Sequence, residues 1–434
     1  MGTLFANFAD TFSMMGSVFS LLMNVWFIIF PPLLFFLFEL LWMLHVWGHY
    51  GGSIKWVLLE IIPPRDIEAS PLPMESIFNG FAGVMKSPTP VETFIKGEFP
   101  VSFSLEMASI EGQVHFYVRT QAGFRNLVEA HFYAQYPGVE VVEAEDYVNL
   151  VPKTLPNKDW DLWGTDFVFV KPDLYPIKTY RFFEESVTGK MVDPLAGLIE
   201  TMGQTGPGQY IWLQYIVTPY SESWFTTGQD TIDEFLGKVK EEKQGFFQRL
   251  FSDITDVLGN LGNGLLGKEV EFTVGAKAEK KEEQPLEFRL SPGQKKVLEA
   301  LENNIGKQMF KTRMRHVYIG RREVFNKPTG VSSFIGAIKQ FNDFNLNSFK
   351  PGDSSKTYAN YIFTEERLRY RQRRLFRRYI TRDTDPQSTR FMLSSEELAT
   401  VFHIPDMAVT APALTRVAAK RGGAPSNLPL LDIE

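Results

Sequence analysis

The chain has 434 residues and no cysteine. That absence excludes disulfides, thiolate metal centres and cysteine nucleophiles together, and it suits a reducing compartment. Histidine is scarce, at 6 in the whole chain. No Lys or Arg precedes Lys55, so the basic start of a secretory signal is missing. No HExxH pair, nucleophile elbow or paired-carboxylate arrangement stands out. The nearest approach to a phosphate-binding loop, Gly262, Gly267 and Lys268, fails at Glu269. A carboxylate there replaces the hydroxyl that would hold Mg²⁺ and repels phosphate. The expectation is a protein that is not an enzyme and carries no cofactor.

What is present in strength is apolar length. Ser17 to Trp47 is greasy almost throughout, with Asn24, Glu39 and His45 its polar interruptions. As one helix it would run roughly 46 Å, more than the ~30 Å hydrocarbon core requires. Its length, and the lack of a small-x-small cleavage site after it, favour an uncleaved single-span anchor over a signal peptide. Pro31-Pro32 is expected to kink or split it. Lys55 and Arg65 put the basic side after the span, so the body is expected in the cytoplasm, at the inner (cytoplasmic) membrane. Glu39 is either a functional or assembly group inside the span or a side chain snorkelling at the interface. His45 and His49 lack a third ligand and read as interfacial polar residues.

The remainder reads as α+β. Residues 1–16 are expected to form a short N-terminal segment, 17–47 the transmembrane helix, 54–220 a first domain, 221–290 an amphipathic helix and charged linker, 291–405 a second domain with the Arg-rich helix, and 406–434 an extended proline-containing tail. Residues 54–62 read as a strand and 74–85 as a helix. A hairpin turns at Glu111-Gly112, and Val114, Phe116 and Val118 alternate with polar partners. A helix over 122–135 presents Phe124, Leu127, Val128, His131 and Phe132 on one face, with His131 read as a core histidine. Strands are expected at 139–142, 165–170, 177–182 and 210–220, and a helix over 193–202 capped by Asp193. Glu143, Glu145 and Asp146 read as a solvated strand end. In the second half Ser291-Pro292-Gly293-Gln294 is a capping box, 309–319 a strand, 332–342 a helix, and Ser394 caps a last helix. Strand-strand-helix-strand order in the first half, echoed in the second, predicts tandem ferredoxin-like (split βαβ) antiparallel-sheet units after the transmembrane helix.

The stretch 361–381, YIFTEERLRYRQRRLFRRYIT, is the most unusual soluble one. Leu368, Leu375, Phe376 and Tyr379 make a narrow apolar stripe. Arg367, Arg369, Arg371, Arg373, Arg374, Arg377 and Arg378 cover the rest, with Arg382 just beyond. Such a helix fits a phosphate backbone, an anionic lipid surface, an acidic protein partner or plain solvent, and a charge run alone does not choose among them.

The segment SSEELATVFHIPDMAVTAPALTRVAAKRGGAPSNLP resembles the stretch just ahead of the motor domain in HerA-like and conjugative (type IV secretion) ATPases. Residues 193–224 and 116–147 are similar to the region upstream of such motors. Walker A and Walker B sequences are absent, so the resemblance does not carry ATPase activity to this chain. It implies a membrane-side platform for a separate HerA-like P-loop ATPase that moves DNA or protein. Glu397, Leu398, Ala399, His403 and Pro405 are then the expected motor-docking residues. The arginine helix and the tail are expected to touch the motor or its DNA. The alternative is a membrane-attached nucleic-acid-binding module acting through residues 361–382. The lipid bilayer and further copies of the chain complete the expected partners.

Overall fold

A computed structural model describes residues 2–64, 70–183, 192–220, 223–235, 290–383 and 390–406. The expected stripe over 247–261, the Gly262–Lys268 loop, the linker over 276–285 and the tail from 407 onward lie outside these residues.

Helix α1 runs unbroken from Gly2 to Ser53, longer at both ends than the apolar stretch predicts. Pro31 and Pro32 sit inside it, so the expected split does not occur. Within it, the 24 residues Phe30–Ser53 hold an 18-residue window of mean hydropathy 1.6, long and apolar enough to cross a membrane.

The body is organised on one antiparallel sheet of nine strands among the described residues. These are β1 (Trp56–Ile62), β2 (Phe103–Ile110), β3 (Gln113–Gln121), β4 (Glu140–Glu143), β5 (Trp160–Phe169), β6 (Gln209–Tyr220), β7 (Met309–Arg321), β8 (Phe349–Pro351) and β9 (Phe391–Ser394). The order is β4-β1-β3-β2-β6-β7-β5-β8, with β9 on β7. The hairpin turns where expected, at Glu111-Gly112. Strand β6 is apolar on both faces because it lies mid-sheet, paired with β2 on one side and β7 on the other. β5 and β6, which the sequence places with the first half, bond to β7 of the second, so both halves share one sheet.

Period-2 alternation divides the core between the two faces. Phe103, Leu105, Phe116, Val118, Leu213 and Tyr215 face one side. There they meet α2 (Leu72–Ala82), α3 (Arg125–Gln135), α4 (Ala196–Gly203), α5 (Ser223–Phe235), α6 (Pro292–Ile305), α7 (Phe334–Ile338) and later elements only in part: α2, α4 and α7 supply Phe78, Ile199 and Phe334, while α5 and α6 form a satellite cluster of Ile232, Leu301 and Ile305 with Leu174. The other face carries Ala108, Tyr117, Trp212, Val317 and Ile319. Helix α8 (Thr364–Ile380) covers it with Leu375, Phe376 and Tyr379. Helix α9 (Ser395–Val401) returns to the first face.

Both capping boxes form, at Ser291/Gln294 and Ser394/Glu397. Of the α3 stripe Val128 and Phe132 are buried, and half-buried His131 packs edge-on against Phe81. Two expectations are corrected. The strand over 177–182 is not one: Ile177 N–H donates to Glu397, Lys178 N–H to Phe341 O and Tyr180 N–H to Thr400, then a 3₁₀ turn follows at Tyr180–Phe183. Two of its donors are taken by side chains of α9 and a third by the Phe341 carbonyl, so no regular ladder forms. The helix over 332–342 is three short turns, π over Pro328–Ser333, then α7, then 3₁₀ over Lys339–Phe341.

Candidate functional site: a membrane foot and a cationic helix

Where α1 ends, a loop runs back along it. The π-helical turn Glu92–Lys96 lies against α1. The Trp42 indole N–H donates to Phe94 O at 2.7 Å. Gly97, at φ 72°, faces the backbone of Val46 so closely that no Cβ fits. Phe99 meets Tyr50 edge-on at 5.2 Å. The loop therefore descends beside α1 to the level of Trp42 and climbs back. Val91, Phe94 and Ile95 are exposed at its tip, 57, 48 and 64%. They continue the apolar surface of α1. A side chain at Gly97 would force this foot off the helix: Gly97→Val is expected to expose Trp42 and Phe94, read as faster proteolysis near residue 96 in detergent. Glu39 lies one turn further along α1, exposed, with no ion pair among the described residues.

On the far face of the sheet, α8 starts after Tyr361 and Phe363, both at positive φ, 71° and 53°. Tyr361, Ile362 and Phe363 are 90, 70 and 73% exposed. Glu365 and Glu366 in the first turn and Arg377 and Arg378 in the last complement the helix dipole. Gln372, Leu375, Phe376 and Tyr379 form the buried stripe, Leu375 seated on Gly164, where a Cβ would collide. Leu368 is half-buried.

The arginines then divide by role. Arg367 donates to Asn360 O, and Arg371 to Lys356 O and Tyr358 O, fastening the preceding loop. Arg378 lies 3.7 Å from Asp383 and its carbonyl accepts from Arg315. Arg369, Arg373, Arg374 and Arg377 are exposed and form no ion pair among the described residues. A groove of about 510 Å³ runs along Tyr370, Arg373, Arg374, Arg377 and Arg378 to Thr381 and Asp383.

Arg382 does not belong to that surface. It turns inward at φ 49° and is buried. Its guanidinium bonds Glu106 through Nε and Nη2, both 3.0 Å, and Asp146 through Nη1 and Nη2. Glu106, fully buried, also accepts from Ser104, Tyr147 and Gln214. Burial by itself would raise the Glu106 carboxyl, but the Arg382 charge overrides it and holds the group at about 2. Asp146 is thus an ion-pair partner rather than a solvated strand end, and Glu143 pairs with Arg125. Beside this cluster Arg315 is fully buried against Asp166 at 2.7 Å.

The expected motor-docking residues are also interior. Glu397, Leu398, Ala399, His403 and Pro405 are all buried. Glu397 accepts from Ser394 N–H and Ile177 N–H, and His403 bridges Ala399 O and Asp193. Through Glu397 and His403 the run locks α9 to residues 177–193, and all five side chains lie inside the body rather than on its surface.

No group of His, Asp and Glu among the described residues is arranged to hold a metal. The foot and its tip were missed from sequence. Their signal is three apolar residues among charges, too short to show a period.

No curated protein matches the chain. A family model described as "Domain of unknown function (DUF8128)" matches residues 63–416, which takes in the whole sheet apart from the first strand and leaves out the span. The chain therefore belongs to the DUF8128 family.

Proposed function

We propose that this protein is a non-enzymatic, single-span platform at the inner (cytoplasmic) membrane that holds nucleic acid along α8 beside a separate HerA-like P-loop motor. The carrying observation is the row Arg369, Arg373, Arg374 and Arg377, exposed and unneutralised among the described residues, with Tyr370 in the same groove. Unpaired guanidinium groups flanking an aromatic suit a phosphate backbone and a stacked base. The body behind them is two split βαβ units joined edge to edge. The orders β4-β1-β3-β2 and β8-β5-β7-β6 support this reading, each being the fourth-first-third-second arrangement. The span supports the membrane anchor, and Lys55 and Arg65 support a cytoplasmic body.

Four phosphate contacts give a salt slope of about −3.6 on duplex DNA, so affinity should fall about 150-fold between about 50 and about 200 mM salt. The quadruple Arg→Gln variant at 369, 373, 374 and 377 should lose both the low-salt affinity and the slope. A fluorescence-anisotropy titration of the detergent-solubilised chain reads this, and no DNA binding at low salt sinks the proposal.

A second reading, docking of the motor protein itself, is favoured by the tip Tyr361–Ile362–Phe363. Tyr361 and Phe363 are held at positive φ, a strained backbone, and all three apolar side chains are poorly solvated unless something covers them. Recovery of the chain from native membranes in mild detergent without any P-loop ATPase counts against it.

A further inference from the structure

Beside the last turn of α1 the body opens into a cavity of about 230 Å³. Gly51, Trp56 and Phe99 line its membrane-side wall. Ser102, Ser104, Arg119 and Ile216 line the sheet side, and Thr381, Arg382 and Asp383 close it from the end of α8.

The charges around it have different obligations. Arg382 is committed to Glu106 and Asp146. Asp383 faces Arg378. Arg119 is half-buried, with its guanidinium 4.2 Å above the Trp56 ring. Its five N–H donors make no hydrogen bond among the described residues. Burial lowers its pKa to about 10, with Arg382 adding to the effect. The indole face holds the guanidinium in place by a cation–π contact and leaves its N–H donors open, an arrangement suited to two oxygens of one phosphate.

The foot sets the depth of this cavity. An interfacial apolar segment sinks about 5–10 Å below the headgroup boundary. Gly51 lies nine residues beyond Trp42, about 13 Å along the helix. With the tip at Val91, Phe94 and Ile95 seated in lipid, Gly51 and the cavity mouth stand roughly 3–8 Å outside the hydrocarbon. That is the headgroup layer, which adds about 5–8 Å on each side.

We propose that the cavity between the end of α1, Trp56 and Thr381 is a binding site for a phosphate ester, the headgroup of an acidic phospholipid, with Arg119 as its ligand. The proposal rests on α1 being the membrane anchor, and it is independent of nucleic-acid binding on α8. Ser102 adds a hydroxyl at the wall. An acidic headgroup keeps its negative charge for Arg119, whereas a choline headgroup brings its own cation and competes.

The test uses the full chain in neutral detergent micelles, titrated with dioleoyl phosphatidylglycerol, dioleoyl phosphatidylcholine or sodium phosphate. Bound lipid is counted by native mass spectrometry. The expected result is retention of phosphatidylglycerol over phosphatidylcholine, weakened about tenfold by Arg119→Gln and less by Arg119→Lys, as loss of one charged bidentate contact requires. Lys327→Gln, which removes an exposed charge away from the foot and the cavity lining, should leave retention unchanged. Ser102→Leu fills the cavity without altering charge and should abolish retention, so the proposal stays testable if Arg119→Gln does not fold. Equal retention by parent, Arg119→Gln and Ser102→Leu overturns it. Displacement of the lipid by millimolar sodium phosphate overturns the lipid source and leaves a soluble phosphate ester as the occupant. DNA binding by Arg119→Gln should match the parent, so failure here and failure of the α8 reading are separately visible.

Discussion

Arg382→Met is expected to destabilise the folded body by about 3–5 kcal/mol, the usual result of removing one partner from a buried ion pair. The size follows from what is left behind. Glu106 has no exposed surface, and Arg382 supplies two of its hydrogen bonds. Asp146 is partly exposed and water takes up some of its loss, so Glu106 bears most of the penalty. In the parent the Glu106 carboxyl stands at about 2 against an ordinary value near 4.5. A depressed folded value contributes stability that is complete above about pH 4.5 and is lost as pH falls toward 2. Without Arg382, burial, the largest influence on the carboxyl, is opposed only by the hydrogen bonds from Ser104, Tyr147 and Gln214, and the carboxyl rises instead. The variant should then gain stability on acidification from neutrality, opposite in sign to the parent. Glu106→Gln placed on top of Arg382→Met should recover part of the loss, because a neutral amide no longer demands a counter-charge. Thermal melts in detergent between pH 3 and pH 8 check all three. Matching pH profiles for parent and Arg382→Met would refute the account.

The arginine run shows how far sequence reaches. The stripe Leu375, Phe376 and Tyr379 was legible because helical periodicity encodes which face is apolar. The fate of Arg382 was not. Nothing local separates an arginine on a solvated helix face from one that turns inward at positive φ just past the helix end. Its partners, Glu106 and Asp146, are more than two hundred residues away in the chain. Strand β3 and the two capping boxes were legible because alternation and capping are local rules. The segment 177–182 has strand composition, but its amides are met by Glu397 and Thr400, so a tertiary contact overrode local preference. Arg119 and Trp56 come together only through the pairing of β1 with β3. The exposed half of the arginine row was thus readable from sequence, and the cavity beside α1 was not.

The run around Glu397, where the sequence leads one to expect a motor to dock, is buried, and that burial yields the second large effect. Burial raises the Glu397 carboxyl to about 7, with the Ser394 and Ile177 amides opposing. A raised folded value means stability that is complete below the unfolded value near 4.5 and is lost as pH climbs through 7. Over that window the loss is about 3 kcal/mol. Glu397→Gln removes the ionisation, so its stability should be flat from pH 4.5 to pH 8. It should not be free of cost. Two amides, Ser394 N–H and Ile177 N–H, donate to the two carboxyl oxygens, and a carboxamide replaces one of these with an NH2 group that cannot accept. The lost bond is worth about 1 kcal/mol. The variant should therefore melt below the parent at pH 4 and above it at pH 8, with the curves crossing at about pH 5. A residue that touched a motor would show a different pattern, unchanged melting and weakened recovery of the ATPase. Crossing melting curves with unaltered co-purification place Glu397 in the lock between α9 and residues 177–180, and parallel curves remove it from that role.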